Sequence, residues 1–155
     1  MPLSYCLRYD TLDAMRVAFD TDVVVAAMRS RTGASHALLE QLRLGHMEAV
    51  ASVAMMLEYE EVLTRPEHRE ATGMTREEVG VFLDGLAALL RPVFPYFLWR
   101  PLLRDPDDEM VLDAAVNGQA EAIVTFNVPD YLPAARQFHL EVLTLAEALQ
   151  RLRRR

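Results

Sequence analysis

Acidic side chains crowd the stretch LLRDPDDEMVLDAA, which spans residues 102–115. Only Arg104 is near enough in sequence to offset them. The acids are Asp105, Asp107, Asp108, Glu109 and Asp113. Carboxylates this close repel one another, so either the positive end of a helix dipole or a cation must offset their charge. Clustered oxygen ligands of this kind are typical of sites for hard divalent cations.

Ordinary helix signals explain part of this charge. Asp105 suits the N-cap of a helix, and Pro106 suits the first helical position. Acids in the first turn are favoured by the helix dipole. The helix is then predicted to run to Asn117, with Gly118 as its C-terminal stop.

Two of the acids face the core in this helix. Apolar residues follow Asp108 three, four and seven positions later, which places Asp108 on the apolar stripe. Asp107 is aligned in the same way, whereas Glu109 and Asp113 are predicted to point elsewhere. A carboxylate that faces a core is costly without a partner, so the pattern predicts a metal or an ion pair and does not choose between them.

Strand and helix patterns alternate along the rest of the chain, which predicts an α/β fold with a parallel sheet covered on both faces. Segment 23–28 either continues the first strand or, in the interpretation we prefer, begins a helix with Asp22 near its cap. Residues 92–101 are predicted to be extended, and a helical turn is predicted near 133–137. The predicted strands are 17–19, 48–52, 122–126 and 141–143. The predicted helices, besides the acidic one, are 34–44, 53–64 with Ser52 as its cap, 75–90 with a capping box at Thr75, and one that Thr144 caps.

The chain has 155 residues, which fits one domain with a substantial core, and 52% of them are hydrophobic. We divide it into an N-terminal arm, residues 1–14, and a domain, residues 15–155. The single Cys6 excludes an internal disulfide. With neither an apolar run of membrane-spanning length nor a signal-peptide layout, we expect no membrane association and a cytoplasmic location.

The net charge is −7, from 23 acidic residues and 16 basic ones, all arginine. This balance argues against tight non-specific binding to phosphates, although an enzyme with a local basic patch remains compatible with it.

Candidate site residues follow the predicted strands. Asp20 ends the first strand, Thr125 and Asn127 end a later one, and the helix that begins near Asp108 leads into that later strand. Sites in parallel sheets form beyond the carboxyl ends of the strands, so these side chains are expected to converge. Converging acids are what a hard divalent cation requires.

Three segments, FDTDVVVAAMRS, SVAMMLEYEEVLTRPEH and RDPDDEMVLDAAVNGQAEAIVTFNVPDYL, occur in this order. Together they resemble the PIN-domain family, specifically the VapC-like toxins of bacterial toxin–antitoxin modules, over about residues 15–150. The family's opening Asp-Thr-Asn matches Asp20-Thr21-Asp22. Its helical Glu matches Glu58, and its Asp before the fourth strand matches Asp108. Its Thr-x-Asp/Asn and downstream Asp match Thr125, Asn127 and Asp130.

The resemblance implies a three-layer α/β/α sandwich and a metal-dependent endoribonuclease that leaves a 5′-phosphate. It implies that Asp20, Glu58 and Asp108 hold Mg²⁺ or Mn²⁺ as the catalytic acids. It also implies a homodimer and an antitoxin protein that occludes the site. The supporting residues are Asp22, Asp105, Thr125, Asn127 and Asp130.

Two positions depart from the family pattern. Asp22 stands where Asn is usual, and Asn127 stands where many members have Asp. The exchange makes a second metal site doubtful. It also leaves open a catalytically weakened PIN module that only binds its antitoxin.

A haloacid-dehalogenase-like phosphatase is a further alternative, because FDTDVV offers an Asp-x-Asp with Asp20 as nucleophile. That chemistry ordinarily needs a lysine against the phosphate, and the sequence contains none.

Other groups have open roles. Arg100 and Arg104 either contact RNA phosphates or pair with the neighbouring acids. The aromatic run 94–99 is predicted to be core or interface, and it could join the apolar run 53–63 as an antitoxin surface.

Overall fold

A computed structural model describes residues 14–155. The predicted N-terminal arm, apart from Ala14, and Cys6 lie outside the described residues. Five parallel strands form one sheet in the order β3-β2-β1-β4-β5. The strands are β1 (Met15–Phe19), β2 (Met47–Ala51), β3 (Arg91–Pro92), β4 (Ala122–Val124) and β5 (Glu141–Leu143).

Helices flank this sheet, which gives the predicted three-layer α/β/α sandwich. They are α1 (Thr21–Arg29), α2 (Ala34–Leu44), α3 (Val53–Leu63), α4 (Pro66–Thr72), α5 (Arg76–Leu89), α6 (Pro106–Asn117), α7 (Val128–Ala135) and α8 (Leu145–Leu152). The core consists of apolar side chains between the layers, and α6 packs on β1, β2 and β4. None of the helices within residues 14–155 is long and apolar enough to cross a membrane.

Local capping explains where several helices begin, as predicted. Ser52 accepts a hydrogen bond from the Met55 backbone N–H at 3.2 Å. Capping boxes at Thr75 and Thr144 start α5 and α8. These side chains satisfy N–H groups that have no partner inside the helix, so the sequence signal is local and reliable.

Gly118 ends α6 as predicted, but for a different reason than the left-handed backbone usual at such stops. Its φ is −83°, an ordinary helical value. A Cβ at this position would lie 2.9 Å from the Val93 side chain and 3.1 Å from Cβ of Val50. Glycine is therefore required here by the close approach of the helix end to β2 and the segment that follows β3.

Three elements differ from prediction. Helix α3 ends before Pro66 as predicted, but α4 was not predicted; Pro66 is its first residue, where a missing N–H costs nothing. The turn expected near 133–137 is the end of a longer helix, α7, followed by a 3₁₀ turn over Arg136–Phe138. The short strand β3 was not predicted, because its two residues carry no period.

The predicted directions of three acids were wrong. Glu109 and Asp113, expected to point away from the apolar stripe, are buried, and Asp107, expected to face the core, is exposed. The extended segment 93–104 runs along α6 and covers the two buried side chains. Backbone N–H groups of this segment donate to Glu109, and Asp113 pairs with Arg100. Helical periodicity could not reveal this second contact face.

Candidate active site

The register of the sheet brings Asp20 and Thr125 together. Phe19 in β1 pairs with Val124 in β4, so the residues that follow lie side by side at the carboxyl edge. The strand order reverses at this β1–β4 junction, and sites in open α/β sheets form at such switch points.

Segment 23–28 is helical, as preferred in the prediction; Asp20 is the N-cap of α1, and Asp22 lies near it in the first turn. One carboxylate oxygen, Oδ1, accepts from the Thr21 backbone N–H at 2.7 Å. The other, Oδ2, accepts from the Thr125 hydroxyl at 2.6 Å. Asp20 is 6% exposed and Thr125 is fully buried. The carboxylate is therefore fixed by two hydrogen bonds and stands at the end of the central strand.

Tyr131 lies beside this carboxylate and the acidic helix. Its side chain is fully buried, and its hydroxyl donates to Oδ1 of Asp108 at 3.1 Å. The Asp20 carboxyl lies near enough to the same hydroxyl to influence its pKa. Asp20 at the start of α1 and Asp108 in the first turn of α6 thus both lie beside one phenol oxygen.

A further side-chain hydrogen bond lies on the exposed side of the site. Asn127 donates through Nδ2 to Oδ2 of Asp22 at 3.1 Å. The Asn127 backbone N–H donates to the Thr125 hydroxyl at 2.9 Å. Because that hydroxyl itself donates to Asp20, one chain of hydrogen bonds links the loop after β4 to the buried carboxylate.

Asp105 and Asp130 stand at the rim. Asp105 caps α6 by accepting from the Asp107 backbone N–H at 2.9 Å, and Asp130 lies in the first turn of α7. Both are exposed, and both carboxylates lie near enough to Asp108 to raise its pKa. These two acids therefore add negative potential around Asp108.

Glu58 lies on α3, half-buried, beside the first turn of α6. Partial burial raises the pKa of its carboxyl, and the charges of Asp107 and Glu61 raise this pKa further. The groups that act on the Glu58 carboxyl are Asp107, Glu61 and Arg65, whereas Asp20 and Asp108 lie beside Tyr131. The structure thus brings Asp20 and Asp108 together and places Glu58 near Asp107.

The surroundings of Asp20 and Asp108 disfavour the ionisation of both carboxyls at once. Burial raises the pKa of Asp20, while the hydrogen bond from Thr125 opposes this and the charge of Asp22 adds to it. Burial, followed by the charge of Asp20, raises the pKa of Asp108 to about 6. A bound cation would relieve both the lost hydration and the repulsion.

The donor set fits a hard divalent cation. Within residues 14–155, no three His, Cys, Asp or Glu side chains gather closely enough to form a complete protein cage. Mg²⁺ does not need one, because it keeps several waters and is usually held by one or two carboxylates. Asp20 and Asp108 supply two, and no hydrogen bond to Oδ2 of Asp108 is seen among the described residues.

The two arginines named from the sequence differ in their surroundings. Arg100 forms an ion pair with Asp113 at 2.8 Å, in which Asp113 is 3% exposed. Arg104 is exposed and has no hydrogen bond or ion pair within the described range 14–155. Among the described residues, the charge of Arg104 is therefore unpaired at the edge of the acidic helix, whereas the charge of Arg100 is paired with Asp113.

Two apolar surfaces lie outside the acidic site. A groove of about 410 Å³ runs between α3 and α5, with Val53 and Leu57 exposed at its side. The aromatic run is also exposed, and Tyr96 is 86% exposed. The ring centroids of Phe97 and Trp99 are 5.7 Å apart, with the rings tilted by 33°. Of the two roles expected for the aromatic run, exposure favours an interface over core packing.

Sequence reasoning missed Tyr131. A signal was available: the residue lies four positions after Asn127, one helical turn into a segment that starts at a strand end. That signal depends on recognising α7, which was expected only as a later turn.

The sequence was compared with the profiles of known protein families. A family profile described as PIN domain matches residues 16–129. No curated protein matches the chain in sequence.

Two solved structures are similar in fold. One is VapBC2 from Rickettsia felis bound to a DNA fragment from its promoter, at 14% identity and a TM-score of 0.59, covering 84% of this chain and 98% of that one. The other is VapBC-1 from nontypeable Haemophilus influenzae, at 17% identity and a TM-score of 0.59, covering 85% and 99%. The haloacid-dehalogenase-like alternative has no support among these matches, and the chain belongs to the PIN domain family.

Proposed function

We propose that this protein is a Mg²⁺- or Mn²⁺-dependent endoribonuclease and the toxin of a toxin–antitoxin module. One observation carries the proposal: in a PIN-family chain, Asp20 and Asp108 lie close together beside Tyr131 at the carboxyl edge of the sheet. The similarity to the VapBC structures supports the toxin assignment and an antitoxin partner.

Asp20 and Asp108 would hold the cation, with Glu58 completing its surroundings. Bound there, the ion would lower the pKa of water and offset charge on the phosphoryl oxygens. Thr125 fixes the Asp20 carboxylate, and Asn127 keeps Thr125 and Asp22 in place. These residues therefore orient the acids before the substrate arrives.

RNA must reach this acidic rim against a net charge of −7. A cation bound between the acids reduces the local repulsion, and Arg104 offers a phosphate contact beside α6. Arg100, which we also named for RNA binding, would contribute only if it left Asp113. Because Arg104 is, within the described part of the chain, the unpaired one of the two arginines named for RNA binding, we expect RNA affinity to fall as salt rises, with a shallow slope of log affinity against log salt concentration.

The antitoxin is proposed to bind the apolar surfaces and occlude the acidic site, as a segment of a separate protein. A homodimer is proposed on the same family grounds.

The test measures cleavage of labelled RNAs with Mn²⁺, with EDTA, and with the variant Asp20→Asn. Asp84→Asn on the exposed side of α5 serves as the control, because it removes the same charge away from the site. We expect cleavage that requires metal, disappears in Asp20→Asn, persists in Asp84→Asn and leaves a 5′-phosphate.

Two results would contradict the proposal. If folded, antitoxin-free protein cuts none of a varied set of RNAs but binds its antitoxin, the protein is a binding module. If cleavage persists in Asp20→Asn or in EDTA, the acids do not act as proposed.

A further inference from the structure

The hydroxyl of Tyr131 lies beside both proposed metal-holding acids. Tyr131 sits in α7 and donates to Oδ1 of Asp108 at 3.1 Å, and the Asp20 carboxyl is near enough to influence the pKa of the phenol. Its ring is fully buried. A phenylalanine would fill the same space, so packing alone does not explain the hydroxyl.

A buried hydroxyl needs a hydrogen-bond partner, and here the acceptor is the Asp108 carboxylate. Because Tyr131 engages Oδ1 of Asp108, it fixes which carboxylate oxygen is left to face a ligand.

We propose that Tyr131 is a positioning residue, whose hydroxyl orients the Asp108 carboxylate so that it can bind one divalent cation together with Asp20. The inference rests on the proposed function, because it assigns these two acids to the cation. Tyr131 acts through the acids and does not itself contact the ion. Groups that orient metal ligands in this way typically account for 10–100-fold in metal affinity.

The chain offers a matched control in Tyr59. That tyrosine is 1% exposed, and its hydroxyl donates to the Phe19 backbone carbonyl at 2.6 Å. Like Tyr131→Phe, Tyr59→Phe removes the hydrogen bond of a buried tyrosine close to the site. In Tyr59 the acceptor is a backbone carbonyl, whereas in Tyr131 it is a carboxylate.

The experiment measures Mn²⁺ binding by isothermal titration in the absence of RNA, for the wild type, Tyr131→Phe and Tyr59→Phe. Circular dichroism checks that each variant is folded. We expect the Kd for Mn²⁺ to rise about tenfold in Tyr131→Phe and to stay within about twofold in Tyr59→Phe. RNA cleavage by Tyr131→Phe should recover as Mn²⁺ is raised to saturation.

Three outcomes decide the inference. An unchanged Kd in Tyr131→Phe, or an equal rise in both variants, would overturn it. A cleavage defect that persists at saturating Mn²⁺ would also overturn it, because a residue that acts only on metal affinity is rescued by more metal. Wild-type protein that neither binds Mn²⁺ nor cleaves RNA would refute the proposed function, a result distinct from the first two.

Discussion

Replacing Glu109 with alanine should destabilise the protein strongly, although Glu109 lies outside the proposed metal site. The side chain is 3% exposed, and its Oε1 accepts from the backbone N–H groups of Leu102 and Leu103 at 2.6 Å and 2.8 Å. These two hydrogen bonds hold the end of the extended segment 93–104 against α6, just before Asp105 caps that helix.

The magnitude follows from the two bonds. A hydrogen bond to a charged acceptor contributes about 1.5–3 kcal/mol to stability. The donors are only partly buried, so water replaces some of the loss, and the unpartnered Oε2 of Glu109 is removed with the side chain. We therefore expect a net loss of about 2–4 kcal/mol, which lowers Tm by about 5–15 °C for a chain of this size.

Thermal unfolding followed by circular dichroism measures this loss, with Glu61→Ala as the control. Both changes replace a helical glutamate by alanine, so helix propensity cancels. Glu61 is exposed and pairs with Arg65 at the surface, so the Tm of Glu61→Ala should not differ measurably from that of the wild type. A fall of less than about 3 °C in Glu109→Ala would show that Glu109 does not hold the segment.

Further predictions concern charge at and near the site. Burial and the charge of Asp20 raise the pKa of the Asp108 carboxyl to about 6. In EDTA, the native state therefore binds a proton at Asp108 more tightly than the unfolded chain does. The native state loses stability as the pH rises from about 4 to about 6. Asp108→Asn should therefore have a higher Tm than wild type near neutral pH and an equal one near pH 4; an equal Tm at both would contradict this. Arg100→Ala should lower stability by about 1–2 kcal/mol, since it leaves a buried carboxylate unpaired, while Arg104→Ala should leave Tm unchanged and raise KM for RNA. Asn127→Asp should lower the metal-free Tm by setting two carboxylates together, and adding Asp22→Asn should restore it; additive effects in this double-mutant cycle would exclude the contact.

The sequence predicted those features that depend on neighbouring residues. Caps at Ser52, Thr75 and Thr144 could be placed because each side chain bonds N–H groups within its own first turn. The alternation of strands and helices predicted the parallel sheet, and the sheet in turn predicted where Asp20 and Thr125 would meet.

Features that depend on distant parts of the chain were missed. Glu109 and Asp113 were expected to face away because a helix stripe describes one contact surface, whereas α6 packs against the sheet and also against segment 93–104. Tyr131 was missed because α7 carries two prolines, Pro129 and Pro133, which argue against a helix. Pro129 is tolerated in the first turn, where its missing N–H has no intrahelical partner to lose.

The two departures from the family pattern are coupled by the fold. Read separately, Asp22 adds a charge at the rim and Asn127 removes one, which suggests a weakened site. The structure shows the Asn127 amide donating directly to the Asp22 carboxylate at 3.1 Å, across the junction between β1 and β4. The usual Asn-and-Asp arrangement would allow the same bond with donor and acceptor exchanged. The contact is therefore an amide–carboxylate pair in either arrangement, and the net charge at the rim is the same. The exchange moves a negative charge from the β4 side of the junction to the β1 side without removing it, so these substitutions alone do not argue for loss of cation binding.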